Sequence, residues 1–169
     1  MIDPDAIVAA LERNREVFSH LLAGRRPGMN CWRPAAGTWS RLEIVCHLYD
    51  EERDDFRARV RYALESPPTP LAPIDPQGWV TSRDYAGQDY ETTLHAFLSE
   101  RSESIAWLRS LRSPRWEAGF QHPQLGAATA RMFLTNWLAH DLLHLRQILR
   151  LEYQWLRESG EDLSYAGTW

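Results

Sequence analysis

The run from about Ala127 to Glu158 is the longest and most apolar in the chain, and Gly160 closes it. Phe133, Trp137, His140, His144, Ile148, Leu151 and Trp155 step through it by threes and fours, the spacing of one helix face. Leu138, Leu142, Leu145 and Leu149 form a second row beside the first. A helix with two apolar rows is expected to bury a wide face, so this segment predicts a long helix set deep among others.

Three further stretches carry the same period, and no segment alternates in the manner of a strand. The first helix is expected from about Asp3 to Ala23, with Asp3 as N-cap, Pro4 in the first turn and Gly24 as the stop. The second is expected from about Ser40 to Ala63. It opens on the capping box Ser40-Arg41-Leu42-Glu43 and closes at Ser66-Pro67-Pro68. Residues from about Leu64 to Gln88 hold Pro67, Pro68, Pro70, Pro73, Pro76 and Gly78, which predicts a long irregular connection across one end of a bundle. The third helix is expected from about Asp89 to Leu111, with Tyr90, Leu94, Phe97, Ile105 and Leu108 inward. The expected fold is all-α: a four-helix bundle with a long crossover connection between helices two and three, and residues 1–169 as a single domain.

Composition narrows the function. With 19 Lys and Arg against 23 Asp and Glu, the formal charge is -4, and a nucleic-acid partner, which calls for a basic face, is not expected. No window approaches 18 uncharged apolar residues, so no membrane span is expected. The acidic start Met1-Ile2-Asp3-Pro4-Asp5 lacks a signal-peptide layout, and a cytoplasmic location is the expectation. Cys31 and Cys46 are too few for a disulfide scaffold and match no zinc-ribbon spacing. Cys46 neighbours His47, but adjacent helical residues point about 100° apart, so Cys46 is read as a small core residue. The eight tryptophans are read as core and pocket walls.

His140 and His144 lie four apart, one above the other on a single helix face. They interrupt the apolar row, and buried imidazoles need either hydrogen bonds or a metal ion to satisfy them. His47, on helix two with Glu51 one turn on, could complete a three-histidine site, or could be a satisfied boundary histidine. Three neutral imidazoles with a fourth position open match a catalytic zinc-type site. Asp50, Glu51, Asp141 and Gln147 are candidates to orient the rings or take a proton, against a plain reading as solvated surface residues. His20 and His95 read as solvated, and His122, in Gln121-His122-Pro123-Gln124-Leu125-Gly126, as a surface-loop residue with a pocket mouth as the alternative.

The segment Thr38-Trp39-Ser40-Arg41-Leu42-Glu43-Ile44-Val45-Cys46-His47-Leu48 resembles the W-S-x-x-E-x-x-x-H-L motif of the DinB/YfiT-like metalloenzymes. His122-Pro123-Gln124-Leu125-Gly126 and Leu138-Ala139-His140-Asp141-Leu142-Leu143-His144-Leu145-Arg146-Gln147-Ile148 resemble that family's C-terminal signature. The resemblance runs through nearly the whole chain, including the long connection. It implies a four-helix bundle with a divalent transition metal, zinc or nickel, on His47, His140 and His144, and a tendency to form homodimers. It also implies kinship with thiol S-transferases and thiol-dependent isomerases.

The expected function is therefore a metal-dependent enzyme, either a thiol S-transferase or a metal-assisted hydrolase, with a small-molecule thiol or another anionic small ligand as partner. The alternative is a non-catalytic metal-binding or partner-binding helical protein, in which Trp79 and Tyr85 belong to an interface instead of a pocket lid.

Overall fold

Each long helix starts at a side-chain cap that the sequence supplies. In the computed structural model, which describes residues 3–24, 28–122 and 124–167, α1 (Pro4–Leu22) is capped by Asp3, whose carboxylate accepts from the Asp5 N–H. α2 (Arg41–Asp50) has both halves of the Ser40–Glu43 capping box, so two otherwise orphaned N–H groups are satisfied reciprocally. It continues through a wide π-type turn, Glu51–Phe56, into α3 (Arg57–Glu65). α3 ends where Ser66 turns left-handed (φ 47) ahead of Pro67 and Pro68.

The crossover contains a short helix, α4 (Pro76–Ser82), and a 3-10 turn at Tyr85–Gly87. Asp75 caps α4 and Pro76 occupies its first turn. α5 (Tyr90–Ser110) is capped by Asp89. A hairpin of β1 (Gly119–His122) and β2 (Gly126–Thr129) then leads into α6 (Ala130–Arg157), which Thr129 caps. Gly119 lets the strands close, because a Cβ there would sit 2.2 Å from the Ala128 carbonyl oxygen. No helix among the described residues is long and apolar enough to cross a membrane.

α5 packs on α1 and α2, and α6 packs on α1 and α3. The four long helices, counting α2–α3 as one, thus form a bundle with the expected crossover. Three expectations are corrected. The connection is not wholly irregular, since α4 lies within it, and its Trp79 and Tyr85 are buried in the core instead of forming an interface or lid. Residues 127–129 belong to a strand, not to the last helix. The second leucine row is split: Leu138 and Leu145 pack on the core, but Leu142 is 57% and Leu149 43% exposed. α6 meets its neighbours in the bundle with its other face, which leaves Leu142 and Leu149 exposed among the described residues.

The core falls into two apolar clusters. One gathers Phe18, Leu48, Phe97 and Ile148, and the other Leu11, Phe56, Ile105 and Trp137. Between them lies a polar layer to which every long helix contributes. Arg101 of α5, 1% exposed, donates to both carboxylate oxygens of Asp141 on α6 (2.7 and 2.8 Å) and to Oε2 of Glu52 (2.9 Å). Asn14 of α1 donates to Asp141 (3.0 Å), and the Trp137 indole N–H donates to Glu52 (3.0 Å).

Removing one partner from such a network leaves the other charges buried without compensation, which costs about 3–5 kcal/mol. Arg101→Met is expected to lower the urea-unfolding free energy by about that amount, because two buried carboxylates then lose their cation. A loss below about 1 kcal/mol would show that the layer is not under strain from burial.

Candidate metal centre

α2 delivers His47 just before the wide turn, and α6 delivers His140 and His144 from successive turns. The three rings meet edge to edge. Nε2 of His140 lies 3.2 Å from Nε2 of His47 and 3.0 Å from Nε2 of His144. Four-coordinate zinc, with Zn–N bonds near 2.0–2.1 Å, separates its ligand nitrogens by about 3.4 Å, so the triangle is close to the size such an ion requires. His47 and His144 are buried, and His140 is half-buried. Trp39 flanks the site, with its ring centroid 4.8 Å from His47 and its plane parallel to His144 at 6.5 Å. Phe56 stands 4.9 Å from His140.

A family model for the DinB superfamily matches residues 10–148. The chain belongs to the DinB superfamily. Its fold is also similar to that of YfiT from Bacillus subtilis, described as a probable metal-dependent hydrolase with an unusual four-helix bundle topology. The TM-score is 0.78 at 20% sequence identity, over 96% of this chain and 92% of that one. No curated protein matches the chain.

The donor chemistry of this DinB-superfamily triad can be read from its partners. The Gln147 side-chain oxygen lies 2.8 Å from Nδ1 of His144, so Nδ1 carries the proton and Nε2 presents a lone pair. That is the tautomer a metal ligand needs. Burial drives the His47 imidazole down to about 3, helped by His144. Burial, then His144, His47 and Arg101, drives His140 down to about 2. Burial likewise lowers His144. All three rings are therefore neutral at pH 7, and their converging nitrogens have more lone pairs than protons to share. This set fits a divalent transition ion.

The four candidate supporting residues separate. Gln147 does orient a ring, as expected. Glu51 comes near: its Oε1 faces Nδ1 of His47 at 4.0 Å, and neither atom has a hydrogen-bond partner. Burial first, then Asp55, pushes the Glu51 carboxyl up to about 8, so it holds a proton at neutral pH. Asp50 turns away to the Tyr85 hydroxyl (2.7 Å) and the Arg83 guanidinium (2.6 Å). Asp141 belongs to the Arg101 layer, because a fully buried cation outcompetes a neutral ring for its carboxylate. Cys46 points into the core beside Tyr85, and burial raises its thiol to about 12, so it takes no part in the site. His122 is not a free loop residue. It lines a cleft beside the triad, together with Phe56 and Asn136. The sequence shows Trp39 as the tryptophan of the W-S-x-x-E-x-x-x-H-L motif, but not its contact with His47 or that of Phe56 with His140.

These shifts have a sign that acid denaturation can check. The unfolded histidines titrate near pH 6.5 and the folded ones far lower, so the unfolded state binds protons first and apo-protein stability falls as pH drops below about 6.5. Each such imidazole contributes a slope of about 1.4 kcal/mol per pH unit. Glu51 acts oppositely between its ordinary value of 4.5 and about 8, since its folded form keeps the proton. Glu51→Gln removes that opposition. It is expected to steepen the loss of stability between pH 6.5 and 4.5, measured by urea unfolding of chelator-treated protein. An unchanged slope would show that Glu51 titrates normally.

Proposed function

We propose that this chain is a cytoplasmic metal-dependent enzyme in which His47, His140 and His144 hold one divalent transition ion, zinc or nickel, and that it acts on a small-molecule thiol as an S-transferase. The supporting observation is the convergence of three neutral imidazole nitrogens on one point. Bound there, the ion would acidify a thiol at its open position and hold it as the nucleophile. Three uncharged ligands leave the double positive charge uncancelled, which favours an anionic fourth ligand such as a thiolate. Gln147 keeps His144 in its ligating tautomer, while Trp39 and Phe56 shield the site from water. Glu51, protonated and one short movement from Nδ1 of His47, is placed to hold or pass a proton.

A carboxyl group so close to the triad also favours a second reading, metal-assisted hydrolysis, the class named for YfiT. We also propose a homodimer, supported by exposed Leu142, Leu149 and Leu156, which recur every seven residues along α6.

Metal analysis of the purified protein is expected to find one ion per chain, and His144→Ala to lose it. The bundle rests on two apolar clusters, so His144→Ala should cost the apo-protein only about 1–3 kcal/mol, from a small cavity partly offset by relief of a buried polar ring. Circular dichroism melting of both proteins, with and without chelator, checks this. If chelator alone unfolds the wild type at room temperature, the metal is structural and the enzyme reading fails. Turnover with thiols but not with water as acceptor separates the transferase from the hydrolase. Light scattering should give twice the chain mass, reduced to one by Leu149→Lys; a wild-type monomer at micromolar concentration overturns the dimer.

A further inference from the structure

The crossover segment at residues 70–74 and the β1–β2 hairpin frame a cleft of about 930 Å³ over α3 and the start of α6. Most of its wall is apolar, with Phe56, Tyr62, Phe120 and Phe133 prominent. It adjoins the triad through Phe56, but none of the three histidines lines it. Its volume suits a small organic molecule of ordinary ligand size.

Two polar groups in that wall are set against one another. Nδ1 of His122 accepts the backbone N–H groups of Gln124 and Leu125, each at 3.2 Å. Nδ1 is therefore the unprotonated nitrogen, and the ring's N–H sits on Nε2. Arg59 reaches to within 3.5 Å of that Nε2 with Nη1, and a guanidinium can only donate. Two donors thus face each other with no acceptor between them. Arg59 is well buried and held in place, since its Nε donates to Asp55 and its head lies over the Phe133 ring. Among the described residues, Asp55 is the only acidic one lining the cleft, and the Nε side of the guanidinium is turned to it. The Nη1 edge is left for an oxygen brought in from outside.

We infer that the cleft binds a small carboxylate whose apolar body lies against the aromatic wall and whose oxygens bridge Nη1 of Arg59 and Nε2 of His122. A carboxylate meets the geometry because it offers paired acceptor oxygens about 2.2 Å apart, able to take one hydrogen bond from each donor. An amine would add a third donor, and a neutral alcohol could accept from both donors but brings no charge to meet the guanidinium. The inference does not depend on metal at the triad, because neither anchoring group touches a triad histidine.

Isothermal titration with 4-phenylbutyrate tests it, using 4-phenylbutanol as the uncharged counterpart, on protein as purified and after chelation. One 4-phenylbutyrate per chain is expected in both forms, with the alcohol at least about tenfold weaker. His122→Asn keeps an acceptor oxygen near the Nδ1 position for the turn but removes the Nε2 donor. Arg59→Lys keeps the charge beside Asp55 but loses the fork. Each is expected to weaken 4-phenylbutyrate at least about tenfold, with His122→Asn leaving the melting temperature unchanged. Equal binding of acid and alcohol would mean an apolar surface only, and would overturn the site. Binding that vanishes on chelation but survives His122→Asn would place the carboxylate at the triad, and would overturn it as well. So would no binding of 4-phenylbutyrate at all.

Discussion

Arg101 sits at the centre of the bundle, out of reach of water, and the arrangement of every long helix is tied to how its charge is met. Its guanidinium spans Asp141 and Glu52, while Asn14 adds a hydrogen bond to Asp141 and Trp137 one to Oε2 of Glu52. A buried ion network of this kind is weak evidence for stability, since apolar residues of similar volume often do as well. Its physical importance here is geometric. A bidentate guanidinium–carboxylate pair has one good orientation, so Asp141 fixes the rotation of α6 about its own axis. His140 is the preceding residue, and His144 lies about one turn on. Rotating α6 to release Asp141 would swing both imidazoles away from His47.

The sequence displayed this layer without announcing it. Glu52 falls between Leu48 and Phe56, Arg101 between Phe97 and Ile105, and Asp141 between Trp137 and His144, each on an apolar row. Charged residues at such spacing are ordinarily solvated, and only their coincidence on three helices, at one level of the bundle, makes them partners. The caps were far more legible. Asp3, the Ser40–Glu43 box and the residues flanking α5 begin helices where local chemistry says they should, because a cap depends on neighbours three residues away. The hairpin escaped notice because strands of only four residues, Gly-Phe-Gln-His and Gly-Ala-Ala-Thr, are too short to show alternation. α4 escaped because seven residues give no period, although Asp75-Pro76 was a start signal in plain sight.

For the site, spacing revealed which histidines could share an ion, but not what surrounds them. The HxxxH pair and His47 come together as their helix faces dictated. The side chains around them follow from tertiary choices instead. Asp50 is claimed by Arg83 from the crossover, Asp141 by Arg101 from α5, and Glu51 faces His47 while the Arg59 side chain bonds Asp55. Competition among charges in a low-dielectric interior, which no local pattern records, thus decides which carboxyl is available for proton transfer.

The hydrogen bond from Asn14 to Asp141 joins residues 127 positions apart. α1 packs on α6, and the α2–α3 unit meets it too, so the last of the long helices closes on elements made well before it. A chain emerging from the ribosome can pair Arg101 with Glu52, but it holds an unfilled core until some fifty further residues follow. Loop-closure entropy therefore falls on the final step, which favours slow, late locking over early assembly. Truncation within α6 would leave a three-helix intermediate with its apolar interior open, a species suited to chaperone capture rather than to folding alone.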